Sequence, residues 1–209
     1  TFLERGQKVA VLGGDHSTPL GLMQALGEHH GAFGILQIDA HMDLREAYEG
    51  FRYSHASIMF NALQIPSLTS LVQVGIRDYC PAEKELAQED DRIRTWFDHD
   101  LQAANFRGQH WNNLCVDIIK DLPDKVYVSF DIDGLEPFNC PGTGTPVPGG
   151  LAYAQAIHLL ETLYHSGREI IGFDLCEVAP SKGDREWNAN VGARILYKLC
   201  NLCLASPQK

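Results

Sequence analysis

The chain has 209 residues and a net charge of −10, with 44% apolar and 21% charged residues. That length supports one hydrophobic core in a single domain over 1–209, at an ordinary globular composition. The acidity argues against nucleic acid or an anionic membrane as partner, since either would need a basic face, and it permits a small cationic substrate.

Within a few residues of Thr1 the chain enters an apolar run, Val9–Leu12, which reads as a first strand. A domain rarely opens so abruptly, so N-terminal elements upstream of Thr1 are expected to be missing. Ser17 and Thr18 are candidate caps for a helix over 19–29, and a strand over 33–39 follows. Next come a helix over 55–63, a strand over 70–75, a helix over 81–88 and a strand at Ile93–Phe97. Asp98-His99-Asp100 reads as a loop, and the pair His29-His30 as a solvated helix end. A helix over 111–122, a strand over 126–131, a helix over 152–166, a strand over 170–175 and a helix over 190–205 complete the series. Segment 134–150 holds Pro137, Pro141, Pro146 and Pro148 among several glycines. A stiff, long loop directly after a strand reads as a site wall rather than a linker. Strand–helix alternation predicts an α/β fold, a mostly parallel sheet with helices on both faces, whose strand C-termini open on one crevice.

No run is long and apolar enough to predict a membrane-spanning helix, and no signal-peptide pattern is seen at the start. The six cysteines are scattered. Cys200 and Cys203 have half-site spacing, but they lie in an apolar helical pattern with no second pair nearby. They read as buried helix-face cysteines, and a reducing, cytoplasmic setting is expected.

Metal-type residues gather at three strand ends: Asp15-His16, Asp39-Ala40-His41-Met42-Asp43, and Asp131-Ile132-Asp133. Spacing of two in extended chain puts side chains on one side. Each group alone has a bland reading, as a turn residue or a cap. Together at the mouth of one sheet they do not, because crowded carboxylates repel, and burying each costs roughly several kcal/mol unless a cation is present. Four carboxylates and two imidazoles without thiolate favour Mn²⁺ over a structural zinc. Six side chains exceed what one catalytic ion with an open position needs, so two ions sharing bridging carboxylates are expected.

At these residues the sequence resembles the ureohydrolases, the arginase and agmatinase family. The matching motifs are Gly13-Gly14-Asp15-His16-Ser17, Asp39-Ala40-His41-Met42-Asp43 and Ser129-Phe130-Asp131-Ile132-Asp133-Gly134-Leu135-Glu136-Pro137. Pro141-Gly142-Thr143-Gly144-Thr145-Pro146, Gly149-Gly150-Leu151 and Phe173-Asp174-Leu175-Cys176-Glu177-Val178-Ala179-Pro180 follow in family order. The resemblance implies an arginase-like three-layer α/β/α sandwich and two Mn²⁺ per subunit. One ion would be held by His16, Asp39, Asp43 and Asp131, the other by Asp39, His41, Asp131 and Asp133. His55 matches an active-site histidine that shuttles a proton or contacts substrate, and Glu177 matches the carboxylate that grips a guanidinium. Asp133 or His55 would carry the proton to the departing amine. A homo-oligomer, trimer or hexamer, is implied too.

Two departures stand out. Glu136 occupies a position where Asp is usual, and segment 44–54 differs from the arginase loop that recognises an amino acid head. The sequence is closer to agmatinase-like members, which convert agmatine to putrescine and urea. Arg45 and Arg52 keep an anionic substrate tail open, hence arginase, guanidinobutyrase or formimidoylglutamase activity as alternatives. More distant are a single-zinc deacetylase-type amidohydrolase and a noncatalytic binding protein of the same fold. Neither explains why every residue of both ion groups is present.

Overall fold

The computed structural model describes residues 1–183 and 185–208. Six strands form one parallel sheet: β1 (Val9–Leu12), β2 (Phe33–Ile38), β3 (Leu68–Ile76), β4 (Ile93–Phe97), β5 (Lys125–Asp131) and β6 (Glu169–Cys176). Their spatial order is β1-β6-β5-β2-β3-β4. Among the described residues, six α-helices lie between them and a seventh follows: α1 (Leu20–His30), α2 (Ile58–Ala62), α3 (Pro81–Glu89), α4 (Asp98–Phe106), α5 (Trp111–Lys120), α6 (Tyr153–His165) and α7 (Trp187–Ala205).

The order of the strands dictates the layers. From β1 to β2, and then through β3 to β4, the chain moves one way across the sheet; from β4 to β5 and β6 it moves back. Right-handed crossovers put helices of opposite travel on opposite faces. One face accordingly packs Met23 and Leu26 of α1 and Ile58, Met59 and Ala62 of α2 on Phe33, Ile35, Leu71 and Tyr127. The other packs Leu114 and Ile118 of α5, Leu159 and Leu163 of α6 and Ile195 and Leu199 of α7 on Leu36, Ile38, Val128 and Phe130. The strands are apolar on both sides because both sides are covered. Travel reverses between the neighbours β2 and β5, and at such a switch point the loops leaving the two strands diverge and open a crevice.

The predicted elements are recovered with shifts at their ends, and two are corrected. Residues 55–63 do not form one helix: His55–Ser57 is a 3₁₀ turn, and α2 begins at Ile58. Asp98-His99-Asp100 is not a loop but the first turn of α4. Two carboxylates at that N-terminus suit the positive end of the helix dipole. The segment's apolar pattern is thin, with Leu101 its buried apolar side chain, so periodicity gave no signal. His30 closes α1, and Cys203 is buried on α7 with Cys200 half-buried beside it. Among the described residues, no helix is long and apolar enough to cross a membrane.

Candidate metal centre

Backbone ladders carry the motif residues to the crevice. β2 ends one residue before Asp39, β5 ends at Asp131, and the loop after β1 is tied to β6 by Gly13 N–H donating to Leu175 O at 3.1 Å. Asp131 Oδ1 accepts the Asp133 N–H at 2.9 Å and Asp39 Oδ1 accepts the His41 N–H at 2.7 Å. These caps turn each chain sharply, so both members of each pair point inward. Gly134 allows the two turns to touch: a Cβ there would lie 2.7 Å from Asp39 N and 3.0 Å from its Cα.

Two ligand groups result, His16/Asp39/Asp131 and Asp39/His41/Asp133, with Asp39 common to both. His16 Nδ1 lies 3.1 Å from Asp39 Oδ2, 3.1 Å from Asp43 Oδ2 and 3.2 Å from Asp131 Oδ2. His41 Nδ1 lies 3.1 Å from Asp133 Oδ2 and 3.5 Å from Asp39 Oδ1. All six side chains predicted as ligands thus meet in one place. Asp43 reaches it through a left-handed backbone, φ 54°.

The electrostatics are those of a site built for cations. Burial pushes the Asp43 carboxyl up to about 7, with the nearby Asp39 charge adding to the shift. Burial and then the charges of Asp133 and Asp39 push Asp131 well up. Burial works against the His41 imidazolium, but hydrogen bonds to Asp133 and Asp39 raise it to about 11. His16 is raised by the nearby carboxylates of Asp131, Asp39 and Asp43 against its burial. Asp39 is driven up by burial, yet the two imidazoles beside it leave it below the ordinary carboxylate range. Protons here do what divalent cations would do, neutralising four carboxylates in a space with little water. His16 Nδ1 is buried and has no hydrogen bond of acceptable geometry despite three carboxylates around it. A lone pair aimed at a cation explains that arrangement, and the donor set fits two divalent ions.

Behind the ligands lie supports that motif reading missed. His16 Nε2 lies 2.8 Å from Ser129 Oγ, which donates to Asp174 Oδ1 at 3.2 Å. Gln37 Nε2 donates to Asp39 Oδ2 at 2.8 Å. Arg77 Nη2 donates to Asp133 O at 2.8 Å and to Val147 O at 2.8 Å, tying the wall loop to β5's exit. Asp78 Oδ2 stands 3.8 Å from His41 Nε2.

A cavity of about 140 Å³ opens over the ligands and is bounded by His55, Glu177, Arg45, Tyr48, Asp78 and Thr145. Glu177, half-buried, sits at φ 62°, and its Oε1 accepts the His16 N–H at 2.9 Å. Burial raises its carboxyl pKa. His55 packs edge-on to Tyr48 at 5.5 Å and stays partly exposed at the rim. Thr145 Oγ1 donates to Asp133 Oδ2 at 3.3 Å, so the wall loop does line the site. Of the two arginines that kept an anionic tail open, Arg45 borders this cavity, while Arg52 faces a separate surface depression. Arg45 Nε is 3.7 Å from Glu83, and its guanidinium lies over the Tyr48 ring.

The arginase family model matches residues 1–201. An N(1)-aminopropylagmatine ureohydrolase of Thermus thermophilus is 38% identical over 86% of this chain and 57% of its own length. A guanidinobutyrase of Pseudomonas aeruginosa is 32% identical over 97% of this chain and 62% of its own. Among solved structures, arginase from Medicago truncatula superposes with a TM-score of 0.81 at 29% identity, covering 99% of this chain and 62% of that one. The chain thus spans about three-fifths of the length of the relatives it matches. With the family model spanning nearly the whole chain and the fold superposing on a solved arginase, this chain belongs to the arginase family.

Proposed function

We propose that the chain is the catalytic domain of a two-manganese ureohydrolase that cleaves a guanidino C–N bond, releasing urea and an amine. The observation that carries this reading is the pair of ligand groups sharing Asp39, placed under a cavity that Glu177 enters from the side. When bound, two divalent cations supply charge neutralisation and an activated water nucleophile near neutral pH.

The chain's own groups do the rest. Glu177 meets the guanidinium with a carboxylate held by the His16 N–H. A charge-assisted pair of this kind orients the planar group over the ligands. Water oxygen bonds to the guanidino carbon, the bond to the alkylated nitrogen breaks, and that nitrogen must gain a proton. Asp133, whose Oδ2 accepts from Thr145 of the cavity wall, or a ring nitrogen of His55, at the rim, delivers it.

The substrate tail leaves through the opening bounded by Asp78, Tyr48 and Arg45. Arg45 already faces Glu83, whereas Asp78 is largely exposed. That balance favours a cationic tail, agmatine-like, over a carboxylate. The names of the Thermus and Pseudomonas relatives span both kinds of tail. A homo-oligomer is part of the proposal by family resemblance.

The test is urea release by the Mn²⁺-loaded protein offered agmatine, arginine, guanidinobutyrate and formimidoylglutamate in parallel, with formamide also followed for the last. Turnover of agmatine above the others is expected. Preference for an acidic tail would overturn the tail reading, and silence on all four with two ions bound would overturn the reaction.

A further inference from the structure

A row of polar side chains crosses the buried sheet just below the ligands. In the strand register Thr95 of β4 stands beside Gln73 of β3, Gln73 beside Gln37 of β2, and Gln37 beside Ser129 of β5. Gln37 and Gln73 are fully buried, and amides in such a place cost stability unless every group is paired. Here they are paired head to tail. Thr95 Oγ1 donates to Gln73 Oε1 at 2.9 Å. Gln73 Nε2 donates to Gln37 Oε1 at 2.6 Å and to Met42 O at 2.7 Å. Gln37 Nε2 donates to Asp39 Oδ2 at 2.8 Å and to His41 O at 3.2 Å.

Each amide hydrogen has its own acceptor, so neither amide can flip without losing bonds. All donation runs toward the ligands, and a chain of bonds pointing one way polarises each successive link. Its last hydrogen falls on the carboxylate common to both ligand groups, while two intermediate ones fix the backbone carbonyls of His41 and Met42.

We propose that Thr95, Gln73 and Gln37 form a positioning relay that sets the orientation of Asp39 and of the 41–43 turn, and thereby the affinity of both ions. This rests on the two-ion reading above. None of the three touches the cavity. They act through Asp39, as outer partners of metal ligands do, where one loss costs about 10- to 100-fold in affinity.

The experiment compares the chain with Thr95→Val, Gln73→Leu and Gln37→Leu. Mn²⁺ binding is titrated calorimetrically, thermal unfolding is followed in chelator, and side-chain amide signals are recorded by NMR without metal. The expected result is a graded loss: about tenfold or more weaker binding of both ions in Gln37→Leu, less in Gln73→Leu and least in Thr95→Val. Thr95→Val removes one hydroxyl at nearly constant shape and strands Gln73 Oε1, so it should lower the melting temperature by only about 2–4 °C and still move the Gln37 amide signal two strands away. If Gln37→Leu fails to fold, the other two variants decide. Unchanged ion affinity in folded variants, or a Gln37 signal indifferent to Thr95→Val, overturns the relay. A Gln37 signal that moves in Thr95→Val, while the wild-type chain binds fewer than two ions, overturns the two-ion reading and leaves the Asp39 contact standing.

Discussion

The two halves of the ligand cluster are built differently. The half around His16 is sealed: His16, Asp39, Asp43 and Asp131 are all buried, and Ser129 with Asp174 stands behind the imidazole. The half around His41 is open, with the imidazole 23% exposed and Asp78, itself largely exposed, on its outer side. With two ions bound, the sealed half would exchange its ion slowly and contribute to stability, whereas the open half would face the substrate and give up its ion more readily. The asymmetry comes from topology. His16 arrives from an edge strand and is folded back over the sheet, while His41 leaves with the β2 loop at the switch point.

The largest effect is expected where the halves meet. Asp39→Ala and Asp131→Asn should each abolish urea release and cut ion affinity by about 100-fold or more, read by metal analysis after desalting. Retained turnover without both ions would defeat the scheme. Next is Gly134→Ala, whose Cβ would meet the backbone of Asp39 at 2.7 Å. A loss of about 2–4 kcal/mol in urea denaturation is expected, because backbone has no rotamer through which to yield.

Replacing the two histidines separates the halves directly. His41→Asn should release one ion and lower the melting temperature less than His16→Asn does, since its surroundings are open to water. His16→Asn should lower both stoichiometry and stability, by about 2 kcal/mol, because it strands Ser129 and three carboxylates. Equal effects would erase the distinction.

Acidity sharpens it further. Asp43, raised to about 7, and His41, raised to about 11, both bind protons more tightly in the folded chain than in the unfolded one. The Asp43 contribution is complete below the unfolded carboxylate range and is lost as pH rises through about 7; the His41 contribution is complete below its unfolded value and is lost toward about 11. The metal-free chain should therefore melt at a lower temperature at pH 8 than at pH 5. Entering cations must expel these protons, so Mn²⁺ should raise the melting temperature more at pH 8 than at pH 6. The smallest effect is Arg77→Lys, which keeps the charge but loses the fork across Asp133 O and Val147 O, at about 1–2 kcal/mol.

Much of this architecture can be read along the chain. Apolar runs ending in Asp or Gly locate β1, β2 and β5, and the spacing of Asp39, His41, Asp43, Asp131 and Asp133 announces the ligands. The rest depends on partners distant in sequence. Gln37 and Gln73 look like stray polar residues in apolar strands until register sets them side by side. Arg77 likewise acquires its meaning from two carbonyls more than fifty residues away. Helix α4 escaped notice because acids in its first turn, rather than an apolar stripe, mark it. Arg45 and Arg52 looked equivalent in the sequence, and only their placement shows that one borders the cavity.

The most direct test of the account is anomalous diffraction at the manganese edge from crystals of the chain grown with Mn²⁺. The account predicts two peaks, one beside His16 and Asp43 and one beside His41 and Asp133, with Asp39 and Asp131 between them. A single peak, or peaks away from Asp39, would contradict it.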